Sequence, residues 1–137
     1  MADAVEVLSR VGIFSMLPRK ELSRLAREAH ERTFPAGTVL TDQEEYGTIF
    51  TVVVDGTATV SVDGTAIRTL GPADYFGEMA LIDRDRRSAT VTAGTDLQCL
   101  MLTQWVFRPF AMDHPEVVWA LLEVMVARLR EAERRAP

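Results

Sequence analysis

Two Asp-Gly pairs, Asp55-Gly56 and Asp63-Gly64, constrain this chain more than any other feature. Glycine accepts the positive φ that tight hairpin turns require. Between the pairs, Ala58, Val60 and Val62 alternate with Thr57, Thr59 and Ser61, so the segment presents one apolar and one polar face. Ile49 to Val54 before it is a strongly β-prone run, and Thr65 to Leu70 after it is a return strand. Thr38-Val39-Leu40, Ala89 to Ala93 and Leu97 to Leu102 read as further strands. They are set off by Pro35-Ala36-Gly37, Gly71-Pro72 and Gly94-Thr95-Asp96, with a polar loop at Asp42 to Tyr46. Many short strands with closely spaced glycine turns predict an eight-stranded jelly-roll β-barrel.

Helical patterns flank this core, so the fold class expected is α+β, mainly β. Residues 2–12 form a short helix with Ala4, Val5, Leu8 and Val11 on one face, ended by Gly12. After the apolar elbow Ile13 to Leu17, Pro18 opens a second helix, in which Leu22, Leu25, Ala26 and Ala29 recur to about Glu31. Thr103 is a suitable N-cap for a segment holding Trp105, Val106, Phe107 and Phe110. A long helix then runs from Pro115 to about Arg134. Its Val118, Leu122, Met125, Leu129 and Ala132 form a short heptad seam, able to pack on the barrel or on a second copy. The expected layout is one domain over 1–137: N-terminal helices 1–31, a β-roll 32–102 and C-terminal helices 103–137.

Composition excludes several function classes. The net charge of −5 argues against a broad nucleic-acid surface, because phosphate backbones reward clustered Lys and Arg. Cys99 is the one cysteine, and His30 and His114 are the two histidines. Neither a disulfide, a zinc cluster nor a spaced metal-ligand set is expected, and a metalloenzyme is not expected. No apolar run reaches membrane-spanning length, and the first ten residues are no signal peptide. A cytoplasmic protein without membrane or nucleic-acid contacts is the expectation. The chain also stops too soon after the long helix for a helix-turn-helix to follow.

The chemistry is concentrated in Tyr75 to Thr92, YFGEMALIDRDRRSATVT. Gly77 frees the backbone for a tight turn or a close ligand approach. Glu78 supplies two acceptor oxygens, and Met79 to Ile82 can form one helical turn. Arg87, Ser88 and Ala89 add a guanidinium fork, a hydroxyl and backbone amides, a set suited to a phosphodiester. Arg84 and Arg86 are read as solvated charges.

FGEMALI, a short loop and RRSATV closely resemble the phosphate-binding cassette of cyclic nucleotide-binding domains, a family found in kinase regulatory subunits, bacterial activators and ion channels. The Glu78-to-Arg87 spacing fits that cassette without a gap, and IFSMLPRKELSRLA…RTFPAGTVL resembles the family's N-terminal helices. The resemblance implies a non-enzymatic ligand-binding module. Arg87 would contact the cyclic phosphate, Glu78 would accept from the ribose 2′-hydroxyl, and Ser88 would offer its hydroxyl or amide to the phosphate. Phe76, Gly77, Met79, Ala80 and Ala89 would complete the cassette, Ala80 and Ala89 through backbone amides. Val60 and Ile67 match the family's base-lining positions by strand register, and Arg128 matches an arginine that pairs with the cassette glutamate.

Three residues depart from the pattern. Ala132 and Glu133 stand where hydroxyl residues cap the base, leaving Glu133 as a possible acceptor for an adenine amino group. Thr48 replaces the usual aspartate of a turn. The resemblance implies no cofactor: the expected ligand is cAMP, favoured over cGMP because position 88 is Ser and not Thr. The alternative is a degenerate module of the same fold that binds no nucleotide and serves dimerisation or docking. The expected partners are the nucleotide, and either a second copy through the last helix or an effector protein.

Overall fold

A computed structural model describes residues 3–42, 49–83 and 88–136. Helix α1 (Ala4–Arg10) is capped by the Asp3 carboxylate, which accepts from the Val5 amide at 3.1 Å. A 3-10 turn (Gly12–Phe14) and helix α2 (Arg19–Glu28) follow. The strands are β1 (His30–Phe34), β2 (Val39–Thr41), β3 (Ile49–Asp55), β4 (Ala58–Val62), β5 (Thr65–Leu70), β6 (Tyr75–Phe76), β7 (Thr90–Ala93) and β8 (Leu97–Thr103). Helix α3 (Glu78–Asp83) lies between β6 and β7, and α4 (Gln104–Asp113) and α5 (Pro115–Arg135) close the chain.

The strands form two antiparallel sheets, ordered β1-β8-β3-β6 and β2-β7-β4-β5. The fold is therefore α+β with eight strands, but no ladder among the described residues joins the two sheets. The eight expected strands are present as two four-stranded sheets, and no barrel closes among the described residues. Helix α2 also ends earlier than its apolar spacing suggests. His30 to Phe34 pair with Met101 to Leu97 of β8, so the sheet region starts at residue 30 and not 32. Thr103 occupies the N-cap of α4 but makes no side-chain capping bond there.

Burial explains why β3 and β4 carry different patterns. The β1-β8-β3-β6 sheet is a middle layer. Phe50, Val52 and Val54 of β3 pack toward α1, α2, α4 and α5, and Val53 packs into the cluster shared with the other sheet. Both faces of β3 are dry, so its sequence is a continuous apolar run. Strand β4 has one wet face, and its apolar residues alternate. An aromatic column ties the middle sheet to the helices: Phe50 stacks on Tyr75 (5.2 Å) and Phe107 (4.7 Å) and meets Phe14 edge-on (6.0 Å).

The hairpin turn at Gly56 is the position least tolerant of a side chain. Its φ is +91°, and a Cβ would lie 2.2 Å from the Asp96 carbonyl oxygen. Gly56→Ala is expected to destabilise the fold by at least about 2 kcal/mol, from backbone strain and overpacking together. Urea denaturation at equilibrium checks this.

Cys99 is buried between the sheets, and burial pushes its thiol up to about 11. The native protein is therefore expected to resist thiol-labelling reagents at pH 8 and to react only on unfolding. The unfolded thiol ionises first, at its usual 9.0, so stability is expected to fall as the pH rises from about 9 towards 11.

Helix α5 buries Val117 and Leu121 and leaves most of the heptad seam in water. Val118, Leu122 and Leu129 are exposed, whereas Met125 is partly buried against the core cluster.

Candidate functional site

The site is assembled where β6 hands over to α3. Gly77 has a φ of +96°, a conformation that a side chain at this sharp corner would strain. The turn drives Glu78 inward: it is 3% exposed and opens α3. A buried carboxylate requires a partner, because losing its water costs several kcal/mol in general. The partner comes from the far end of the chain. Arg128 on α5 donates from Nη1 to Glu78 Oε1 at 2.8 Å, the short distance of a charge-assisted bond.

A cavity of about 60 Å³ surrounds this pair. Phe76, Gly77, Glu78 and Met79 form one side, Ser88, Ala89 and Val91 another, and Val60, Arg68, Thr41 and Arg128 the remainder. Ser88 is exposed, and its hydroxyl donates to the Met79 sulfur at 3.7 Å, a weak acceptor that a better one readily replaces. Thr41 Oγ1 donates to the Ala89 carbonyl at 3.4 Å and ties β2 to the cassette. Arg68 and Arg128 also border a second cleft of about 200 Å³ with Thr69, Leu70, Asp74 and Tyr75. The Tyr75 hydroxyl is buried without a hydrogen-bond partner among the described residues. Burial, and then the Glu78 carboxylate, hold its pKa above the usual 10.0. Its phenol therefore stays protonated at neutral pH and can donate.

The expected site residues divide clearly. Phe76, Gly77, Glu78, Met79, Ser88, Ala89, Val60 and Arg128 meet at one cavity. Ala80 lies within α3. Arg87 and Thr48 lie outside the described residues. Ile67 does not join the cavity: it is 57% exposed. Val60 pairs with Arg68 and Ser61 with Ala66, so Ile67 is the extra residue of a β-bulge. Arg68, itself exposed, lines the cavity instead. Its parity with the buried Leu70, two residues on, is the sequence signal for this. Glu133 is exposed near the end of α5 and does not reach the cavity.

Two stacked antiparallel sheets, a glycine corner, a buried glutamate and a helix-borne arginine define a small-ligand cassette fold. The family model for the cyclic nucleotide-binding domain matches residues 31–114. The chain belongs to the cyclic nucleotide-binding domain family.

Two similar proteins show the range of its relatives. A cyclic nucleotide-gated potassium channel of Rhizobium etli is 32% identical over 123 residues, 90% of this chain and 34% of the channel. A CRP-like cAMP-activated global transcriptional regulator of Mycobacterium tuberculosis is 27% identical over 130 residues, 91% of this chain and 58% of the regulator. Among solved structures, the Thermus thermophilus catabolite activator protein superposes with a TM-score of 0.82 at 28% identity, covering 89% of this chain and 60% of its own. The cAMP-bound PfPKA-R gives 0.81 at 26%, covering 94% and 46%. The chain thus spans between about a third and three-fifths of these relatives' lengths. Among the described residues no helix is long and apolar enough to cross a membrane, and no three His, Cys, Asp or Glu side chains form a metal-binding group.

Proposed function

We propose that this domain is a non-enzymatic cyclic nucleotide sensor, with cAMP as the ligand, in which ligand capture repositions α5. The observation that carries this reading is the Glu78–Arg128 pair. One buried carboxylate faces the cassette cavity and simultaneously holds the last helix. A ribose hydroxyl donating to Glu78 would share or displace Arg128. Ligand occupancy and the position of α5 are then linked, because whichever α5 position suits the bound ligand better is populated at the other's expense. Arg87 and the backbone around Ser88 and Ala89 take the phosphate. Arg68 brings a second guanidinium whose donors suit the acceptor atoms of a purine.

Calorimetric titration of the wild type with cAMP and with cGMP tests the proposal. Saturable binding with cAMP the tighter ligand is expected, and the absence of heat with both at millimolar concentration would refute it. Spin labels on α5 and β4, compared with and without nucleotide, read the helix movement. An unchanged distance distribution would remove the repositioning step while leaving ligand binding intact.

A second reading has its own observation. Trp119, Leu122, Val126 and Leu129 form a stripe along α5 that is between 47 and 67% exposed. It runs partly beside the expected seam, sharing Leu122 and Leu129 with it. Such a stripe suits a second copy of the domain or an effector protein. A concentration-dependent dimer in sedimentation equilibrium, abolished by Leu122→Glu, is expected if α5 pairs with itself.

A further inference from the structure

A cleft of about 250 Å³ between α4 and α5 takes no part in the nucleotide reading. Phe107 and Met112 of α4, Leu121 and Met125 of α5 and Ile82 of α3 are among its walls. It shares no lining residue with the cassette cavity. Phe107 and Leu121 belong to the buried core, so this part of the wall is close-packed and pre-formed. Ile82 and Met112 are 54% and 80% exposed and form the rim. The two methionines are unbranched and polarisable, which lets the walls follow the shape of an occupant.

Arg108 of α4 is the one charged residue that lines the cleft, and the others are apolar. Its side chain is exposed, and among the described residues no hydrogen bond or ion pair engages it. Apolar walls with a single polar group are the usual make-up of a small-molecule site, the polar group fixing orientation. A guanidinium has donors and no acceptor, and its planar fork matches a carboxylate. Size sets the rest of the ligand. An apolar cavity of about 150 Å³ holds benzene, so by proportion this cleft has room for about ten carbons.

We infer that the cleft is a second ligand site, for a monocarboxylate with an apolar body of about eight to ten carbons. The body displaces water from the walls, and the carboxylate stays at the mouth beside Arg108. A neutral hydrocarbon would leave the guanidinium unanswered, and a sugar or an inorganic anion would leave the walls wet. A second copy of the chain is the competing occupant. Leu122 is the one residue that the cleft shares with the exposed stripe Trp119, Leu122, Val126 and Leu129, so the two surfaces are largely separate. The site involves no nucleotide, and its failure would leave the cassette reading standing.

Calorimetric titration of the wild type with hexanoate and octanoate, each below its micelle concentration, tests the site. Saturable binding is expected, with octanoate about tenfold the tighter, since each buried methylene contributes about fourfold. Absence of saturable heat, or equal affinity for the two, would overturn the site. Methyl resonances of carbon-13-labelled methionine locate the ligand in the same protein. Met112 and Met125 line the cleft, and Met79 lines the cassette cavity. Octanoate is expected to shift Met112 and Met125 and to leave Met79 in place. A shift at Met79 alone would overturn the inference. Shifts at Met112 and Met125 that follow protein concentration and ignore octanoate would put a second copy in the cleft and overturn it as well. Arg108→Gln, at an exposed position, tests the head group. It is expected to weaken octanoate about two- to fivefold, the scale of an exposed ion pair, and to leave octanol binding unchanged. Equal effects on the two ligands would overturn the carboxylate assignment.

Discussion

Arg87→Ala is expected to weaken cAMP binding by about 30-fold to several thousand-fold, the equivalent of roughly 2–5 kcal/mol. The reason is asymmetric desolvation. A phosphodiester drawn out of water into the cassette keeps its full cost when its guanidinium is removed. Backbone amides near Ser88 and Ala89 would recover part of that loss, which sets the lower bound. Arg87→Lys retains the charge but loses the planar fork, and is expected to fall between the wild type and the alanine variant. Calorimetry checks all three proteins under one salt condition. Equal affinity of wild type and Arg87→Ala would end the phosphate assignment.

The second large effect is expected at Glu78. Glu78→Ala removes the carboxylate that neutralises Arg128 inside the cavity and vacates a buried position. Destabilisation of about 1.5–3 kcal/mol is expected, the range for hydrogen bonds to charged groups. Affinity is expected to fall by about tenfold to a hundredfold, because the ribose hydroxyl loses an ionised acceptor. Glu78→Gln nearly preserves shape and should recover much of the stability but little of the affinity. Combining Glu78→Gln with Arg128→Met separates the two roles. If the pair acts as one unit, the double variant is expected to be no less stable than the less stable of the single variants. Denaturant titrations and calorimetry on the same samples provide both readouts. Full additivity in stability would show that the 2.8 Å contact does not couple α5 to the cassette.

Much of the site was legible before any coordinates. Gly77, Glu78 and Ser88 could be picked out because their chemistry depends on residue type and short spacing along the chain. A glycine corner requires the absence of a side chain, an ionised acceptor requires a carboxylate, and both are local demands. Strand register was less legible. Ile67 matches a base-lining position of the family by strand register, and the bulge opposite Val60 and Ser61 exchanges it for Arg68. A bulge reverses the inward face while leaving composition untouched. The solvent-facing stripe of α5 differed for a related reason. Helical spacing shows that several apolar rows exist, but not which row the body of the domain covers. Val117 and Leu121 took the buried side, and Trp119 and Val126 were left in water with part of the seam.

By itself, then, the order of residues determined the α+β class, the positions of most strands and the identity of the cassette. These depend on turn chemistry, periodicity and short-range spacing, which act between near neighbours in the chain. Only the tertiary structure decided how the eight strands divide between two sheets and that Arg68, not Ile67, lines the cavity. It gave the Glu78–Arg128 pair, which the family resemblance implied, its 2.8 Å contact, and it alone joined His114 to Glu21 across a long stretch of chain. Such contacts arise from the competition of whole surfaces for burial, a quantity that no local pattern contains.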